Sequence, residues 1–263
     1  MNVKSVVKVM NFHALLRVEK ARKQAVVLSS MRFELEKMLR SVALNRNLRL
    51  DKLLKLPDAR LPALRIYLGS DYGFCGSVNS SVSSVLARDA DAEKIVIGKK
   101  IRGRGDVSLS LTWDAYYRDV GRVLGYFTRA VREQPWSAVE LVYNRYNNVG
   151  SVGLDRRKIY PVNADGFKEA GDGGERADYI IESNITGLLE EMLIAYSFYE
   201  FRIAAASAYA SENTLRQSST QDSIKKLDER EAEETRVERK EKNEIAFRKT
   251  IDNYTRRNMP ARE

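Results

Sequence analysis

Helix-breaking residues are distributed unevenly along this chain, and their distribution limits what its two ends can form. No proline precedes Pro57, none lies between residues 162 and 259, and no glycine follows Gly187. Proline and glycine are the residues that most often end or interrupt a helix. Both ends can therefore run as long helices on either side of a middle segment of different character.

The N-terminal stretch carries a stripe of mostly apolar residues at alternating steps of four and three. The positions are Val3, Val7, Met10, Ala14, Arg17, Ala21, Gln24, Leu28, Met31, Leu35, Met38 and Val42. Only Arg17 and Gln24 in this stripe are polar. A period of 3.5 residues over so many turns predicts a helix with one narrow seam, as in a coiled coil.

The C-terminal stretch repeats the same spacing. The positions are Leu189, Met192, Tyr196, Tyr199, Ile203, Ala206, Ala210, Asn213, Gln217, Thr220, Ile224 and Leu227. The seam becomes polar after Ala210 and fades into a charged run at 229–242. A helix of this extent would be on the order of 100 Å long, which exceeds the width of a compact domain of this size. Because neither end buries its stripe alone, we predict that the two helices pair with each other as an antiparallel coiled coil.

The middle of the chain alternates between strand-like and helix-like segments. The strand-like segments are 64–69, 94–99, 138–148, the 150s and 177–183, and the helix-like segments are 80–90 and 113–133. Such alternation is typical of an α/β unit with a parallel sheet. We therefore predict an N-terminal coiled-coil helix (1–55), a Rossmann-like α/β domain with a partly parallel sheet (56–185), and a long C-terminal coiled-coil helix (186–258).

Composition excludes several classes of site. Cys75 is the only cysteine and His13 the only histidine, so an intramolecular disulfide and a cysteine-based metal cluster are impossible, and His13 is expected to be structural. No apolar run approaches the roughly 18 residues of a membrane span, and we expect an intracellular protein without a secretory signal. The net charge of +9 predicts an acidic partner surface on nucleic acid, anionic lipid or protein, without choosing among them.

A glycine-rich segment, GSDYGFCGSVNSS (69–81), raises the possibility of a phosphate-binding loop. Counted from Gly69, the second fixed glycine of G-x-x-x-x-G-K-[ST] would stand at the position of Phe74, and the G-x-G-x-x-G pattern fails as well. We therefore predict no nucleotide site. The segment instead indicates a tight turn between a strand and a helix, with Ser77 or Asn79 as the helix N-cap.

The same segment resembles the S-D-x-G-x-C-G-x-x-N loop of the F-type ATP synthase gamma subunit family. The matching residues are Ser70, Asp71, Gly73, Cys75, Gly76 and Asn79. Three further segments resemble the family in the same order: VIGKK (96–100), LVYNRYNN (141–148) and a helical run (188–213) that contains the A-S-E motif at Ala210, Ser211 and Glu212. The resemblance weakens at both ends, which fits a divergent or alternate F-type ATPase member.

This resemblance implies a central rotor stalk that couples ion translocation through a membrane sector to nucleotide-binding changes in catalytic beta subunits. The implied partners are the alpha and beta subunits of the catalytic head, the epsilon subunit and the membrane rotor c-ring. The chain itself would be non-catalytic and bind no cofactor or metal, because ATP, ADP and Mg belong to partner subunits. The implied location is the cytoplasmic face of the bacterial inner membrane, reached through the complex, and the transported ion would be a proton or sodium.

The resemblance also implies particular contact residues. Lys242 and Asn243 stand where the family has an Arg-Gln pair that contacts a catch loop of a beta subunit. The basic residues expected to make further contacts along the shaft are Lys4, Lys8, Arg17 and Lys20. We expect the loop at 70–79 to shape the foot of the stalk near the rotor ring or the epsilon subunit, with Cys75 as a small packing residue.

A second hypothesis is a static, basic coiled-coil scaffold or a nucleic-acid-binding protein, which the positive charge and the tyrosine content favour. Lysine and arginine are interspersed with glutamate through 229–244, however. A phosphate-binding face should be uniformly basic, so this pattern argues against nucleic acid as the partner.

Overall fold

The computed structural model describes residues 3–45, 56–103, 105–148, 151–162 and 184–257. Two long helices, α1 (Val3–Leu44) and α5 (Ile185–Arg257), flank a small α/β domain. The strands of this domain are β1 (Ala63–Leu68), β2 (Ala92–Ile97), β3 (Leu109–Leu111), β4 (Val139–Asn148) and β5 (Ser151–Tyr160). Its helices are α2 (Val78–Arg88), α3 (Trp113–Arg118) and α4 (Gly121–Arg132).

The predicted antiparallel pairing of the two long helices is confirmed. Near the start of α1, Lys4 Nζ lies 2.5 Å from carboxylate oxygens of Asp228 and Glu231. Near the other end of the pair, Arg32 Nη1 of α1 lies 3.4 Å from Glu200 Oε1 of α5. Residue numbers therefore rise along one helix as they fall along the other.

The polar part of the α5 seam is matched by a polar residue of α1. Asn11 Nδ2 donates to the Gln217 carbonyl oxygen and to Thr220 Oγ1, both at 2.9 Å. Thr220 is buried and Gln217 half-buried. Hydrogen bonds of this kind satisfy polar groups that would otherwise be costly to bury, and a polar pair at a seam position specifies register.

The predicted seam of α1 is only half correct. The row that contains Ala14, Ala21 and Leu28 is buried, as expected. The alternate row was wrong, because the side chains of Arg17, Gln24, Met31 and Met38 are exposed. The helix instead turns toward α5 the positions one residue later, which are Val18, Ala25, Arg32 and Leu39.

The cause of this error is that α1 is apolar on more than one side. Phe12, Leu16 and Val27 are large apolar residues that remain exposed, so periodicity alone permits two phases. On α5, by contrast, every predicted seam position from Leu189 to Leu227 is buried or half-buried. Off-seam residues of α5 such as Leu193, Ile194 and Phe201 are buried too, because the sheet domain packs against the same helix.

Among the described residues, the domain between the helices contains one five-stranded sheet in the order β3-β2-β1-β4-β5. β1 pairs in parallel with β2 and β4, β2 pairs in parallel with β3, and β5 runs antiparallel to β4. The partly parallel α/β prediction is confirmed. The helical segment predicted at 113–133 forms two helices, α3 and α4, and the strand predicted at 177–183 lies outside the described residues.

Side chains alternate between the two faces of the sheet. Leu64, Ile66 and Leu68 on β1 point into a core shared with α4 and α5, in which Phe127 and Phe201 are fully buried. Tyr67 on the same strand points to the opposite face, where α2 contributes Val82 and Leu86. Both faces of the central strands are therefore covered by helices, as a parallel sheet requires.

The far end of α5 has no companion among the described residues. All described side chains from 232 to 254 are exposed, which corresponds to about 35 Å of helix at 1.5 Å per residue. We refer to residues 232–254 as the bare segment. Within the described part of the chain, no helix combines the length and apolar character needed to cross a membrane.

Candidate functional site

The loop that follows β1 is held close to the loop that follows β2. Gly98 has φ +130°, and a Cβ on this residue would lie 2.7 Å from the carbonyl carbon of Gly69. The Gly69 amide donates to the Ile97 carbonyl oxygen at 2.9 Å. Glycine is required at 98 because no side chain fits between the two strand ends in this backbone conformation.

Asp71 connects three segments at this edge of the sheet. Its Oδ1 accepts from the Lys99 amide at 2.7 Å and its Oδ2 from the Trp113 amide at 2.9 Å. The Trp113 indole Nε1 in turn donates to the Gly69 carbonyl oxygen at 2.7 Å. The loops after β1 and β2 and the start of α3 are thereby fixed to one another.

Asn79 closes the loop from the other side. Its Oδ1 accepts from the Ser70 amide at 2.8 Å, and its Nδ2 donates to Cys75 Sγ at 3.2 Å. Asn79 lies inside α2 rather than at its cap, and Ser77 occupies the N-cap position without a side-chain capping bond. Ser77, one of the two residues predicted, is therefore the N-cap residue, although its side chain makes no capping bond. The alternative, Asn79, is wrong as a cap, because its side chain is used to close the loop.

Cys75 is buried against this loop, with 3% of its surface exposed. Burial is the main cause that raises the pKa of its thiol above the ordinary value, and the charge of Glu212 adds to the effect. A thiol with a raised pKa stays protonated at neutral pH and is a poor nucleophile. This environment supports the interpretation of Cys75 as a packing residue.

The loop rests on α5 through Arg216. The guanidinium donates through Nη2 to Glu212 Oε1 at 2.5 Å and through Nη1 to Asn213 Oδ1 at 2.8 Å. Its Nε and Nη2 also lie 3.3 Å from the Gly73 carbonyl oxygen in the loop. Arg216 and Glu212 are both nearly inaccessible, with 5% of each side chain exposed.

The A-S-E motif of α5 and the strand motif at 141–148 meet at the same place. Ser211 Oγ donates to the Asn144 carbonyl oxygen at 2.8 Å, and Asn144 Nδ2 donates to the Val78 carbonyl oxygen at 3.0 Å. Ala210 is buried in the seam beside them. Segments separated by more than a hundred residues in sequence thus form one cluster, which we call the loop–shaft junction: Ser70, Asp71, Gly73, Cys75, Gly76, Asn79, Asn144, Ala210, Ser211, Glu212 and Arg216.

Arg216 is the member of the loop–shaft junction that the sequence analysis missed. It stands four residues after Glu212, a spacing that places the two side chains on the same helix face. That spacing was a usable signal, although by itself it predicts a solvent-exposed pair. Only burial by the loop makes the pair part of the site.

The other predicted contact residues lie away from this junction. Lys242 and Asn243 are exposed in the bare segment, and Lys242 Nζ is 3.9 Å from Glu238 Oε2. Lys8, Arg17 and Lys20 are exposed along α1, as a contact role would require. Lys4 is engaged within the chain, and its hydrogen bonds with Asp228 and Glu231 raise the pKa of its ammonium group.

The junction also presents two aromatic side chains outward. Tyr72 and Phe74 are each 68% exposed, and Phe74 has φ 58°, which is uncommon for a residue with a Cβ. The loop thus combines a rigidly held base with an exposed aromatic tip. Among the described residues, no group of three or more histidine, cysteine or acidic side chains is arranged to hold a metal ion.

A family model described as ATP synthase matches residues 1–242 of the chain. The chain belongs to the ATP synthase gamma family. An ATP synthase gamma chain from Maridesulfovibrio salexigens is 28% identical over 141 residues, which are 47% of this chain and 48% of that protein. A gamma chain from Salinibacter ruber is 26% identical over 194 residues, 61% of this chain and 62% of that one.

The matches therefore span about half to three fifths of the lengths of these gamma-family relatives. A solved structure supports the same fold. A chain from the central stalk and c-ring structure of Tetrahymena thermophila mitochondrial ATP synthase aligns with a TM-score of 0.58 and 17% identity. The alignment covers 83% of this chain and 99% of that chain.

Proposed function

We propose that this chain is the central rotor stalk of an F-type ATP synthase or ATPase. In this role it couples ion translocation through a membrane sector to changes in nucleotide binding at catalytic beta subunits. The observation that carries the proposal is the shape of the gamma-family chain: a domain packed alongside a two-helix coil, against residues 189–216 of α5, and a single helix that continues beyond the coil.

This shape suits a rotating shaft for two physical reasons. A two-helix coil resists bending better than a single helix, and its two helices expose different side chains, so the shaft is asymmetric around its axis. An asymmetric shaft presents different surfaces to chemically identical partners around it. Three identical subunits can then be held in three different states.

We propose that the alpha and beta subunits surround the helical end. The exposed surface of α1 includes Lys8, Arg17 and Lys20, and the chain as a whole carries a net charge of +9. Exposed charge contacts are individually weak and screened by salt, so they can be broken and remade at each rotational step. We further propose that Lys242 and Asn243 contact the catch loop of a beta subunit.

At the other end, we propose that the sheet domain contacts the epsilon subunit and the membrane rotor c-ring. The loop at 70–79 would shape this foot. The complex would lie at the cytoplasmic face of the bacterial inner membrane and transport protons or sodium ions. The chain would be membrane-associated only through its partners.

We also propose that the chain binds no nucleotide and that ATP, ADP and Mg are bound by partner subunits. Two backbone donors that a phosphate loop would offer are used within this loop: the amides of Ser70 and Tyr72 donate to the Asn79 and Ser70 side chains. Calorimetry with ATP and the isolated chain should detect no saturable binding. Cys75→Ser should retain the ATPase activity of the assembled complex, since the thiol has a packing role.

The test of the main proposal is assembly. The chain is mixed with alpha and beta subunits of an F-type ATPase, separated by gel filtration, and assayed for ATP hydrolysis and rotation. Co-elution of one copy with three alpha and three beta subunits, together with rotation of a probe on the sheet domain, is the expected result. A DNA mobility-shift assay on the same sample tests the scaffold or nucleic-acid hypothesis, against which the glutamates interspersed with lysine and arginine through 229–244 argue.

A further inference from the structure

A buried carboxylate connects both long helices to the sheet, away from the loop–shaft junction. Glu200 lies in the first quarter of α5, and only 2% of its side chain is exposed. Arg32 of α1 approaches its Oε1 to 3.4 Å, and Arg157 Nη2 of β5 donates to the same oxygen at 3.0 Å. Three elements that are distant in sequence thus converge on one negative charge.

Burial of this carboxylate costs desolvation free energy. A buried carboxylate is tolerated only when cations and hydrogen bonds replace its lost hydration. Buried ion pairs of this kind contribute little net stability compared with apolar residues of the same volume, and their best-supported role is to specify one arrangement of the elements that carry them. Glu200 is therefore expected to specify the arrangement of α1, α5 and β5, the elements that it joins.

The contact between α5 and the sheet domain on either side of Glu200 has a different chemical character. Around Glu200 the contact of α5 with the sheet domain is largely apolar, with Phe201, Ala204, Ala205 and Ala208 buried in the core. Apolar packing is non-directional, so the orientation of one element on another is fixed mainly by directed polar contacts. The loop–shaft junction supplies such contacts near Ser211 and Arg216. The ion pairs of Glu200 supply them at a second level of the shaft, and there they include α1.

We propose that Glu200 is a positioning residue that locks α1, α5 and the edge strand β5 into one rigid body. This inference rests on the proposed rotor function for its biological meaning, since a shaft must turn in phase with its foot. The locking itself is a property of the isolated chain. It can therefore be tested separately from any assembly.

The first experiment measures the orientation of the sheet domain relative to α1 in the full chain. Spin labels at the exposed positions Lys23 on α1 and Ser84 on α2, in a Cys75→Ser background, report the distance distribution by pulsed electron paramagnetic resonance. A second label pair within the sheet domain, Ser84 with Asn147, reports whether the domain itself remains folded.

The key variant is Arg157→Gln, with Arg156→Gln as its matched control. The two arginines are adjacent on β5 and similarly accessible, with 44% and 42% of their side chains exposed. Arg156 pairs with Glu140 and Asp89, both within the sheet domain, whereas Arg157 pairs with Glu200 of the shaft. Only Arg157→Gln removes an ion pair between domain and shaft.

We expect the distribution between Lys23 and Ser84 to broaden about twofold in Arg157→Gln, because non-directional apolar packing permits neighbouring orientations. It should keep its parent width in Arg156→Gln. Glu200→Gln should broaden it as well, and the Arg157 variant covers the case in which Glu200→Gln fails to fold. A parent-like distribution in folded Arg157→Gln, or equal broadening in both arginine variants, would overturn the proposal.

The second experiment uses the assembled complex, with the head held in one nucleotide state and a probe on the sheet domain. Angular fluctuations of the probe should widen in Arg157→Gln and not in Arg156→Gln, while ATP hydrolysis rates stay equal. Unchanged fluctuations would refute the role of the lock in the rotor. If the parent chain does not assemble, the proposed function is refuted. The spin-label experiment on the isolated chain still tests whether Glu200 fixes the orientation of the sheet domain relative to α1.

Discussion

The buried pair of Arg216 and Glu212 allows a sharp test of how the loop–shaft junction is held together. Replacement of Arg216 by leucine keeps apolar volume and removes the cation. Glu212 then remains in a site where 5% of its side chain is exposed, without the partner that lies 2.5 Å away. The Gly73 carbonyl oxygen also loses its contact with the guanidinium.

Removal of one partner of a buried ion pair typically costs about 3–5 kcal/mol, because the remaining charge is left uncompensated. We expect a loss of this size in the free energy of unfolding of Arg216→Leu. A double variant, Arg216→Leu with Glu212→Met, should recover much of the loss, since no charge then remains buried. Urea unfolding of the isolated chain, followed by circular dichroism, measures all three values.

The same helix provides the control. Arg248 stands four residues after Glu244 in α5, and Nη2 of Arg248 lies 2.8 Å from Glu244 Oε1, but 75% and 63% of these side chains are exposed. An exposed pair at this spacing contributes only about 0.3–0.5 kcal/mol, so Arg248→Leu should be close to neutral. If Arg216→Leu and Arg248→Leu differ by less than about 1 kcal/mol, burial of the first pair does not have the energetic consequence argued from its geometry.

Three further outcomes can be checked independently. The double variant Lys242→Ala with Asn243→Ala should slow ATP hydrolysis by the assembled complex at unchanged subunit stoichiometry, since a charge-assisted contact contributes about 1.5–3 kcal/mol. The single variant Lys249→Ala is the control. A rate of the double variant equal to the rates of the parent and of this control at every salt concentration would contradict the assigned contact. Gly98→Ala should lower the free energy of unfolding, measured by urea titration, by about 2–4 kcal/mol, because the added Cβ is strained at this φ and overlaps Gly69. Gly125→Ala is the control, since its added Cβ meets no neighbouring atom, and it should raise the free energy of unfolding by about 0.5–1 kcal/mol. Burial raises the pKa of Tyr116 to about 12, so the folded state keeps its proton where the unfolded state, with a pKa near 10, releases it. The contribution of Tyr116 to the free energy of unfolding should therefore be fully present below about pH 10 and be lost toward pH 12. Tyr116→Phe should make the decline of the free energy of unfolding with pH shallower. Identical pH profiles of the parent and the variant would show that Tyr116 does not contribute.

Much of this architecture is determined by local sequence. The absence of proline and glycine at both ends permits two long helices, and the apolar alternation between them produces the strands. These are short-range properties: a helix depends on residues three and four apart, and a strand on alternate residues. Each predicted seam position of α5 is buried or half-buried, although this helix also buries off-seam residues such as Leu193 and Phe201 against the sheet domain.

The phase of α1 was decided only by tertiary structure. Its sequence places apolar residues on several sides, so Met31 and Met38 satisfy the heptad as well as Leu39 does. Which row is buried depends on the surface that α5 and the sheet present. A pattern read along one chain segment contains no information about that surface.

The charged residues show the same limit more clearly. Glu212 with Arg216 has the same spacing as Glu244 with Arg248, and sequence alone predicts the same exposed pair in both cases. The loop that covers the first pair comes from more than a hundred residues earlier in the chain. The sequence therefore determined which residues could pair, while long-range packing decided which of the two ion pairs was desolvated. Desolvation depends on every neighbour in space and not only on neighbours in sequence.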